Sequence, residues 1–224
     1  MSDKNTRSAL AQSAESSKTR PVLDLSRTLA RSLFLCRSRP WDAIYGIPEF
    51  IRETGRALPF DEYDEISEDV WVHVSAYLSP SARVEAPAII CGGAKICHFS
   101  SISASVVGAF AYVGECTEVK NSLLFDRSRL CGMNSFLHSI LGYASVIGQG
   151  SMVPDRRLDG MSISFDMPEG IYVSGKTRLG AVICDDVKVG ASCVINPGAV
   201  IDTGSKIYPL TSVSGYMYPY TTAE

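Results

Sequence analysis

The stretch VGAFAYVGECTEV, residues 107–119, decides the fold because an aliphatic side chain returns at every sixth position. Val107, Val113 and Val119 occupy these positions, and a glycine follows each of the first two. A helix repeats near 3.6 residues and a strand near 2, so neither period alone explains a spacing of six. Short strands joined by tight turns explain it, because each flat face then carries one inward aliphatic side chain.

The same spacing continues outward in both directions from this stretch, with slips in register. The series predicted for the core is Ile66, Val72, Leu78, Val84, Ile90, Ile96, Ile102, Val107, Val113, Val119, Phe125, Cys131, Leu137, Leu141, Ile147, Val153, Ile183, Val189, Ile195, Ile201, Ile207 and Val213. Three six-residue faces close a triangular coil of about 18 residues, and such coils stack at about 4.8 Å, the distance between paired strands. The predicted fold class is therefore all-β, a parallel β-helix of hexapeptide repeats.

Two segments depart from the period of six and set the predicted domain organisation. Residues 21–60 carry apolar side chains at near-helical spacing, which predicts a short helical cap over the open end of the β-helix or an amphipathic helix that binds a partner. A polar segment, residues 154–177, predicts a loop insertion. The expected organisation is a disordered tail at 1–20, the cap at 21–60, the β-helix at 61–215 and a C-terminal tail at 216–224.

Composition excludes several classes of function. The formal net charge of −3 over 224 residues argues against an electrostatic nucleic-acid binder. Because no apolar run approaches the ~18 residues of a membrane span and the N-terminus has no apolar signal core, we expect no membrane partner and a cytoplasmic location. Seven cysteines without a CxxC pair favour reduced core residues, and histidines only at positions 73, 98 and 138 predict no metal site.

Four segments in one order resemble a known family. They are VGECTEVKNSLLFD (113–126), CGMNSFLHSILGYASVIGQG (131–150), KTRLGAVICDDVKVG (176–190) and VINPGAVIDTGSKIYP (194–209). They resemble the C-terminal acetyltransferase domain of the bifunctional glucosamine-1-phosphate acetyltransferase and N-acetylglucosamine-1-phosphate uridyltransferase. They are also similar to short sugar-phosphate nucleotidyltransferase-like proteins. The resemblance spans about residues 40–215.

The resemblance implies a left-handed coil and a homotrimer with clefts between subunits for acetyl-CoA and an amino-sugar phosphate. It implies substrate contacts by Lys120, Asn134 and Arg178. The implied cofactor contacts are Gly148, Gln149, Gly150 and Gly190. The segment that precedes Ile66 in this sequence is too short to hold a nucleotidyltransferase domain, so we do not expect uridylyl transfer that forms UDP-N-acetylglucosamine.

The resemblance fails at the general base. The family's catalytic histidine falls on Gly132, which has no proton acceptor on a side chain. His138 is the candidate substitute, since it lies 18 residues after Lys120 and is expected to stack beside it; a surface or interface histidine is the alternative. The sequence therefore predicts an acetyl-CoA-dependent N-acyltransferase-like protein with a degenerate site. The alternative is a non-catalytic trimeric scaffold or a sugar-nucleotide-binding pseudoenzyme.

Overall fold

The chain forms a parallel β-solenoid of about nine turns with a short helical segment before it. This architecture is seen in a computed structural model that describes residues 23–35 and 37–224. It confirms the predicted β-helix of hexapeptide repeats; the left-handed sense is the one that the resemblance implies. The predicted tail at 1–20 lies outside the described residues.

Most strands are two residues long, as the period of six requires. In chain order β1 to β24 are Tyr63–Ser67, Val70–His73, Tyr77–Leu78, Arg83–Ile90, Lys95–Ile96, Ser101–Val107, Tyr112–Val113, Glu118–Lys120, Leu123–Leu124, Arg129–Leu130, Ser135–Leu137, Ile140–Leu141, Val146–Ile147, Met152–Val153, Ser164–Met167, Gly170–Val173, Val182–Ile183, Lys188–Val189, Val194–Ile195, Val200–Ile201, Lys206–Ile207, Ser212–Val213, Tyr216–Met217 and Thr222–Ala223. Eight of them form one flat face, in the order β24-β21-β18-β13-β10-β7-β5-β3. The other two faces share a fourteen-stranded sheet because the long strands β4 and β6 run from one face to the next.

The interior is a stack of apolar side chains, one from each face in every coil. Val72, Ile90, Ile96 and the members from Ile102 to Val119 occupy the predicted inward positions, and so do the members from Leu141 to Val213. Leu78 and Val84 are partly buried against this core. Between them the prediction is wrong by one residue, because the buried core residues are Leu124, Leu130 and Phe136 rather than Phe125, Cys131 and Leu137. Ile66 was also wrongly predicted to be in the core. It is exposed on β1, which pairs antiparallel with β2.

The slip occurs at a corner where successive inward residues, such as Val119 and Leu124, are five positions apart instead of six. Ala104, Asn121 and His138 turn this corner in the left-handed conformation, with φ of 48°, 46° and 46°, and we call it the histidine corner. Its coils are 17 residues long, as the pairing of Ile140 with Leu123 shows. Lys120 therefore stacks on Leu137 and not on His138, which corrects the expectation from an 18-residue coil.

Buried serines hold the histidine corner tight. The Ser122 hydroxyl donates to the Lys120 carbonyl at 2.8 Å and accepts the Ser139 N–H at 3.1 Å. Ser139 repeats the pattern one coil later, donating to Leu137 and accepting from Ala181. Each serine hydroxyl satisfies a backbone group that the shortened corner would leave unpaired. The column of serines therefore compensates for the one residue that each coil lacks at this corner.

The helical segment lies along one side of the solenoid and not across its end, contrary to the predicted cap. It contains a 3-10 helix at Leu25–Arg27, α1 at Arg31–Leu35, a second 3-10 helix at Pro40–Gly46 and α2 at Ile47–Gly55. Its apolar side chains and those of the insertion form one buried cluster with a column of outward residues, which we call the covered face: Trp71, Ile89, Val106, Leu123, Ile140, Val182 and Val200. Strands of this face are therefore buried on both sides.

The insertion leaves the solenoid after β14 and rejoins it at β17. It contains an antiparallel hairpin, β15 with β16. The hairpin docks on the helical segment, where the rings of Phe165 and Trp41 stack at 3.9 Å with an interplanar angle of 7°. At the other end of the chain, β23 and β24 pair with β20 and β21. The segment at 216–224, predicted to be a tail, thus continues the coils.

Candidate active site

His138 occupies the histidine corner between β11 and β12. Its backbone N–H donates to the Lys120 carbonyl at 2.8 Å, and its own carbonyl accepts the Gly180 N–H at 2.9 Å. A side chain at Gly180 would collide with Ser139 and with the Leu137 carbonyl, so only glycine lets the chain return beneath this corner. The backbone of His138 is therefore fixed from both neighbouring coils.

A buried carboxylate faces the imidazole. His138 Nδ1 lies 2.8 Å from Asp155 Oδ2, and the two side chains are only 13% and 12% exposed. The two atoms are close enough for an ion pair, but their relative orientation does not make a hydrogen bond to Nδ1. Asp155 begins the insertion, and its carbonyl accepts the Leu179 N–H at 2.8 Å as the insertion ends. The two ends of the insertion thus place a carboxylate against the histidine.

Burial lowers the pKa of His138 below its ordinary value, because the charged imidazolium loses hydration there. The nearby Asp155 carboxylate opposes this shift, whereas the positive charges of Arg178, Lys120 and Arg156 add to it. The imidazole is therefore neutral at pH 7 and able to accept a proton. A proton acceptor of this kind is what general-base catalysis requires.

The opposing charges give a prediction about the pKa of His138. We expect Asp155→Asn to lower it, because the substitution removes the one charge that favours imidazolium. We expect Arg178→Gln to raise it, because that substitution removes a like charge. Titration of the His138 ring by NMR measures both changes. Arg31→Gln, at an exposed residue of α1, is the control and should leave the titration unchanged. Shifts of the same sign in the first two variants would contradict the electrostatic assignment.

Two of the cations predicted to hold a substrate lie beside this pair. Arg178 Nη1 lies 4.0 Å from Asp155 Oδ2, and its backbone carbonyl accepts the Tyr45 hydroxyl at 3.1 Å. Lys120 is exposed on the preceding coil and close enough to act on the pKa of His138. The structure thus brings together His138, Lys120 and Arg178, and it adds Asp155.

A cleft of about 690 Å³ opens next to Asp155. One wall is the insertion, which contributes Arg156 and Arg157. The opposite wall is the later continuation of the histidine corner, at Asn196, Pro197 and Gly198. We call it the insertion cleft. It has the size of a small-molecule site, and its lining mixes apolar groups with charges of both signs, since Asp159 and Asp166 also line it.

Asn134 does not join this group. Its side chain is buried in another corner of the solenoid, where Nδ2 donates to the carbonyls of Gly148 at 2.8 Å and Ser151 at 3.1 Å. Its Oδ1 accepts the Gly132 N–H at 2.9 Å. With both ends of the amide engaged and the residue 3% exposed, Asn134 acts as a structural element of its corner.

The predicted cofactor residues lie at that same corner, which we call the glycine corner. Gly148 packs against the backbone of Gly190, and Gly190 packs against Pro209, so both glycines are required by the stacking of coils. Gly150 has φ of 73°, a conformation that favours glycine. Gln149 is exposed there. Their contact with acetyl-CoA stays a prediction.

Among the residues that the structure describes, no three His, Cys, Asp or Glu side chains are grouped so as to hold a metal ion. Likewise, none of the helices in the described ranges is long and apolar enough to cross a membrane.

Asp155 is the site residue that the sequence reasoning missed. A signal existed, because 155 is 17 residues after 138 and therefore one coil further on. Counting coils of 18 residues directed attention to Lys120 instead. Tyr45 was also missed, since its contact with Arg178 joins residues 133 positions apart.

No protein-family model matches the chain. Curated proteins with sequence similarity are hexapeptide-type acetyltransferases or contain such a domain, which confirms the resemblance. An uncharacterized acetyltransferase, YaiX, from Escherichia coli O6:K15:H31 is 26% identical over 97 residues, covering 43% of this chain and 42% of its own. A bifunctional sugar-1-phosphate nucleotidylyltransferase/acetyltransferase from Sulfurisphaera tokodaii is 27% identical over 97 residues, covering 43% and 24%. The chain thus matches less than half the length of each relative.

Solved structures that match the coils of this chain have low TM-scores. A point mutant of AntD, an N-acyltransferase from Bacillus cereus, in complex with dTDP-4-amino-4,6-dideoxyglucose and coenzyme A, has a TM-score of 0.41 and 15% identity, covering 69% of this chain and 75% of its own. The acetyltransferase domain of PglB from Neisseria gonorrhoeae, in complex with acetyl coenzyme A, has a TM-score of 0.29 and 19% identity, covering 62% and 54%. Neither likeness assigns a ligand to this chain.

Proposed function

We propose that this protein is an acetyl-CoA-dependent N-acyltransferase that acts on an amino-sugar phosphate or a related sugar-nucleotide precursor. The observation that carries the proposal is the buried pair of His138 and Asp155, with 2.8 Å between Nδ1 and Oδ2. The sequence similarity to acetyltransferases supports the reaction class.

His138 serves as the general base in this proposal. The negative charge of Asp155, 2.8 Å from Nδ1, favours the tautomer that carries its proton on Nδ1, which leaves Nε2 as the basic nitrogen. As the amine of the acceptor attacks the acyl carbon, Nε2 takes the proton that the nitrogen loses. The acyl donor supplies an activated thioester; when its C–S bond breaks, the imidazolium returns the proton to the departing sulfur. Atoms and charges balance, and the imidazole ends neutral as it began.

The cations around the pair provide the reason for an anionic acceptor. Lys120, Arg156 and Arg178 surround His138 closely enough to lower its pKa. A substrate phosphate bound among them would offset this excess of positive charge. The insertion cleft beside Asp155 offers room for the sugar.

The proposed assembly is a homotrimer. Within one chain the glycine corner and the histidine corner are five residues apart, from Met133 to His138, or about 16 Å along the strand. A site that uses the predicted cofactor residues together with His138 therefore needs a second copy of the chain. The glycine corner also exposes Phe99, Met133 and Leu210, and a neighbouring subunit would cover them.

The second candidate is a non-catalytic trimeric scaffold or sugar-nucleotide-binding pseudoenzyme. Gly132 favours it, because the family's base position carries no side chain, and His98, in the same column of the glycine corner, lies two coils away. The two candidates differ in one respect. The enzyme transfers an acyl group with His138 as its base, whereas the scaffold binds without turnover.

The test combines binding and turnover on the full chain. We expect millimolar acetyl-CoA to raise the melting temperature, since a ligand at 100 times its Kd stabilises a protein by about 2.7 kcal/mol. Release of free thiol is then followed with glucosamine 1-phosphate as acceptor. Glucose 1-phosphate, which lacks the amine, is the matched control.

Thiol release that depends on the amine supports the proposal. A thermal shift without turnover on any amino-sugar phosphate or amino-sugar nucleotide would favour the pseudoenzyme. Absence of both effects would overturn the acyltransferase assignment and leave the scaffold.

A further inference from the structure

The eight-stranded face carries a straight column of cations that the proposed reaction does not use. Each strand of this face points one side chain outward, and four of these are Lys95, Arg129, Lys188 and Lys206. All four are exposed. We call this set the cationic column. It contrasts with the net charge of −3 for the whole chain.

Strand pairing fixes the spacing of the column. Lys95 and Arg129 both pair with Tyr112, so they lie two strands apart, and Val146 separates Arg129 from Lys188 in the same way. Lys188 and Lys206 are direct neighbours. With strands about 4.8 Å apart, the charges repeat at about 10, 10 and 5 Å along one line. The solenoid therefore holds these positive charges in one line at fixed and wide spacing.

Tyrosines alternate with the first cations. Lys95 Nζ lies 5.6 Å from the ring centre of Tyr77 and 6.0 Å from that of Tyr112, and the Arg129 guanidinium lies 4.8 Å from Tyr112. These cation–π contacts order the long side chains along the face. None of the outward residues on the eight strands of this face is acidic.

We propose that the cationic column binds an extended acidic polysaccharide. A linear array suits a linear polyanion, and a spacing of two strands suits a chain whose charged sugars alternate with neutral ones. Tyr77 and Tyr112, which neighbour Lys95 on either side, add hydroxyl groups that can hydrogen-bond to sugar hydroxyls. This surface lies on a different face from His138, so the inference does not depend on the proposed reaction.

Other anionic partners fit the column less well. Duplex DNA carries one charge per ~1.7 Å of axis, far denser than the column, and the tyrosine faces needed for base stacking already hold cations. A membrane surface calls for an apolar anchor, and Val146 is the one apolar side chain between the cations. Self-association through this face would set like charges against each other, which is destabilising.

The test measures binding of hyaluronate oligosaccharides, which carry one carboxylate per disaccharide, by isothermal titration with the full chain. We expect saturable binding that weakens as salt rises, and no binding of neutral dextran. The double variant Lys188→Glu with Lys206→Glu should bind at least tenfold more weakly, since one cation beside an anionic surface gives on the order of a fivefold gain. The matched control, Arg31→Glu with Arg83→Glu, changes the same total charge away from the column and should bind as wild type does.

Each remaining outcome overturns the proposal. One is the absence of hyaluronate binding, and another is an equal loss in both double variants, which would show general charge attraction. Tighter binding of single-stranded DNA or of phosphatidylserine vesicles would reassign the column to those partners. A changed oligomeric state of the Lys188→Glu, Lys206→Glu variant would reassign it to self-association. If that variant does not fold, Lys95→Gln with Arg129→Gln is compared with Arg31→Gln and Arg83→Gln, which change the same total charge.

Discussion

Replacing His138 by glutamine is expected to lower the rate of acyl transfer by about 10²–10⁴-fold, the usual contribution of a positioned general base. Glutamine keeps a similar size and polarity but cannot accept the proton of the amine. Binding of acetyl-CoA, measured by thermal shift, should not change, because the predicted cofactor residues lie at the glycine corner. Steady-state rates over a range of pH test the role further. Wild-type activity should fall only as the pH drops through the lowered pKa of His138.

His98→Gln provides the matched control for this substitution. His98 is exposed at the glycine corner and contacts Ser79 and Ser81 through Nδ1, at 2.7 and 3.1 Å. We expect it to retain wild-type activity. If His138→Gln turned over at the wild-type rate, the proton would leave by another route and the pair with Asp155 would be structural. Unchanged kcat in Asp155→Asn would remove Asp155 from the mechanism while leaving His138 in place.

Replacing Phe136 by alanine is expected to destabilise the fold by about 3–5 kcal/mol, the range for truncating a buried aromatic side chain. Phe136 is fully buried at the centre of the solenoid, and its strand β11 pairs with β8 and β14. Adjacent coils hold their backbones at a fixed spacing, so they cannot close the cavity. Denaturant unfolding, with an unchanged m-value, measures the loss of free energy.

Phe99→Ala removes the same atoms from the surface. Phe99 is 72% exposed, so its truncation should change stability by no more than about 0.5 kcal/mol. If the two substitutions had similar effects, the inward register at Phe136 would be wrong. A large loss at Phe99 alone would instead show that a neighbouring subunit covers this ring.

The period of six predicts the solenoid but not its register at every coil. Leu124 and Phe125 are neighbours and both are fully buried, one inside the solenoid and one against the helical segment. An apolar side chain therefore stands at either position, and hydrophobicity cannot choose between them. The choice depends on the five-residue corner at Asn121, which is fixed by the hydroxyl of Ser122. The sequence alone does not distinguish Ser122 from serines that lie outside such a corner.

The candidate site was predictable in part. Lys120 and Arg178 followed from the resemblance, and His138 from its spacing after Lys120, although the structure stacks Lys120 on Leu137. Asp155 required the true length of the coil. Tyr45 required the path of the helical segment, which apolar spacing alone does not define, because an amphipathic helix packs equally well on an end or on a side of a solenoid.

The covered face changes how the protein should unfold. Repeat proteins usually behave as one-dimensional chains in which each repeat contacts only its neighbours, so an end can fray while the middle persists. Here the helical segment contacts coils that lie far apart, because α2 packs on β4 and β6 while the Asp24 N–H donates to Asp185 Oδ2 at 2.6 Å. Loss of any single coil therefore weakens the contacts of a segment shared with distant coils. We therefore expect both halves of the repeat array to unfold together as one cooperative unit.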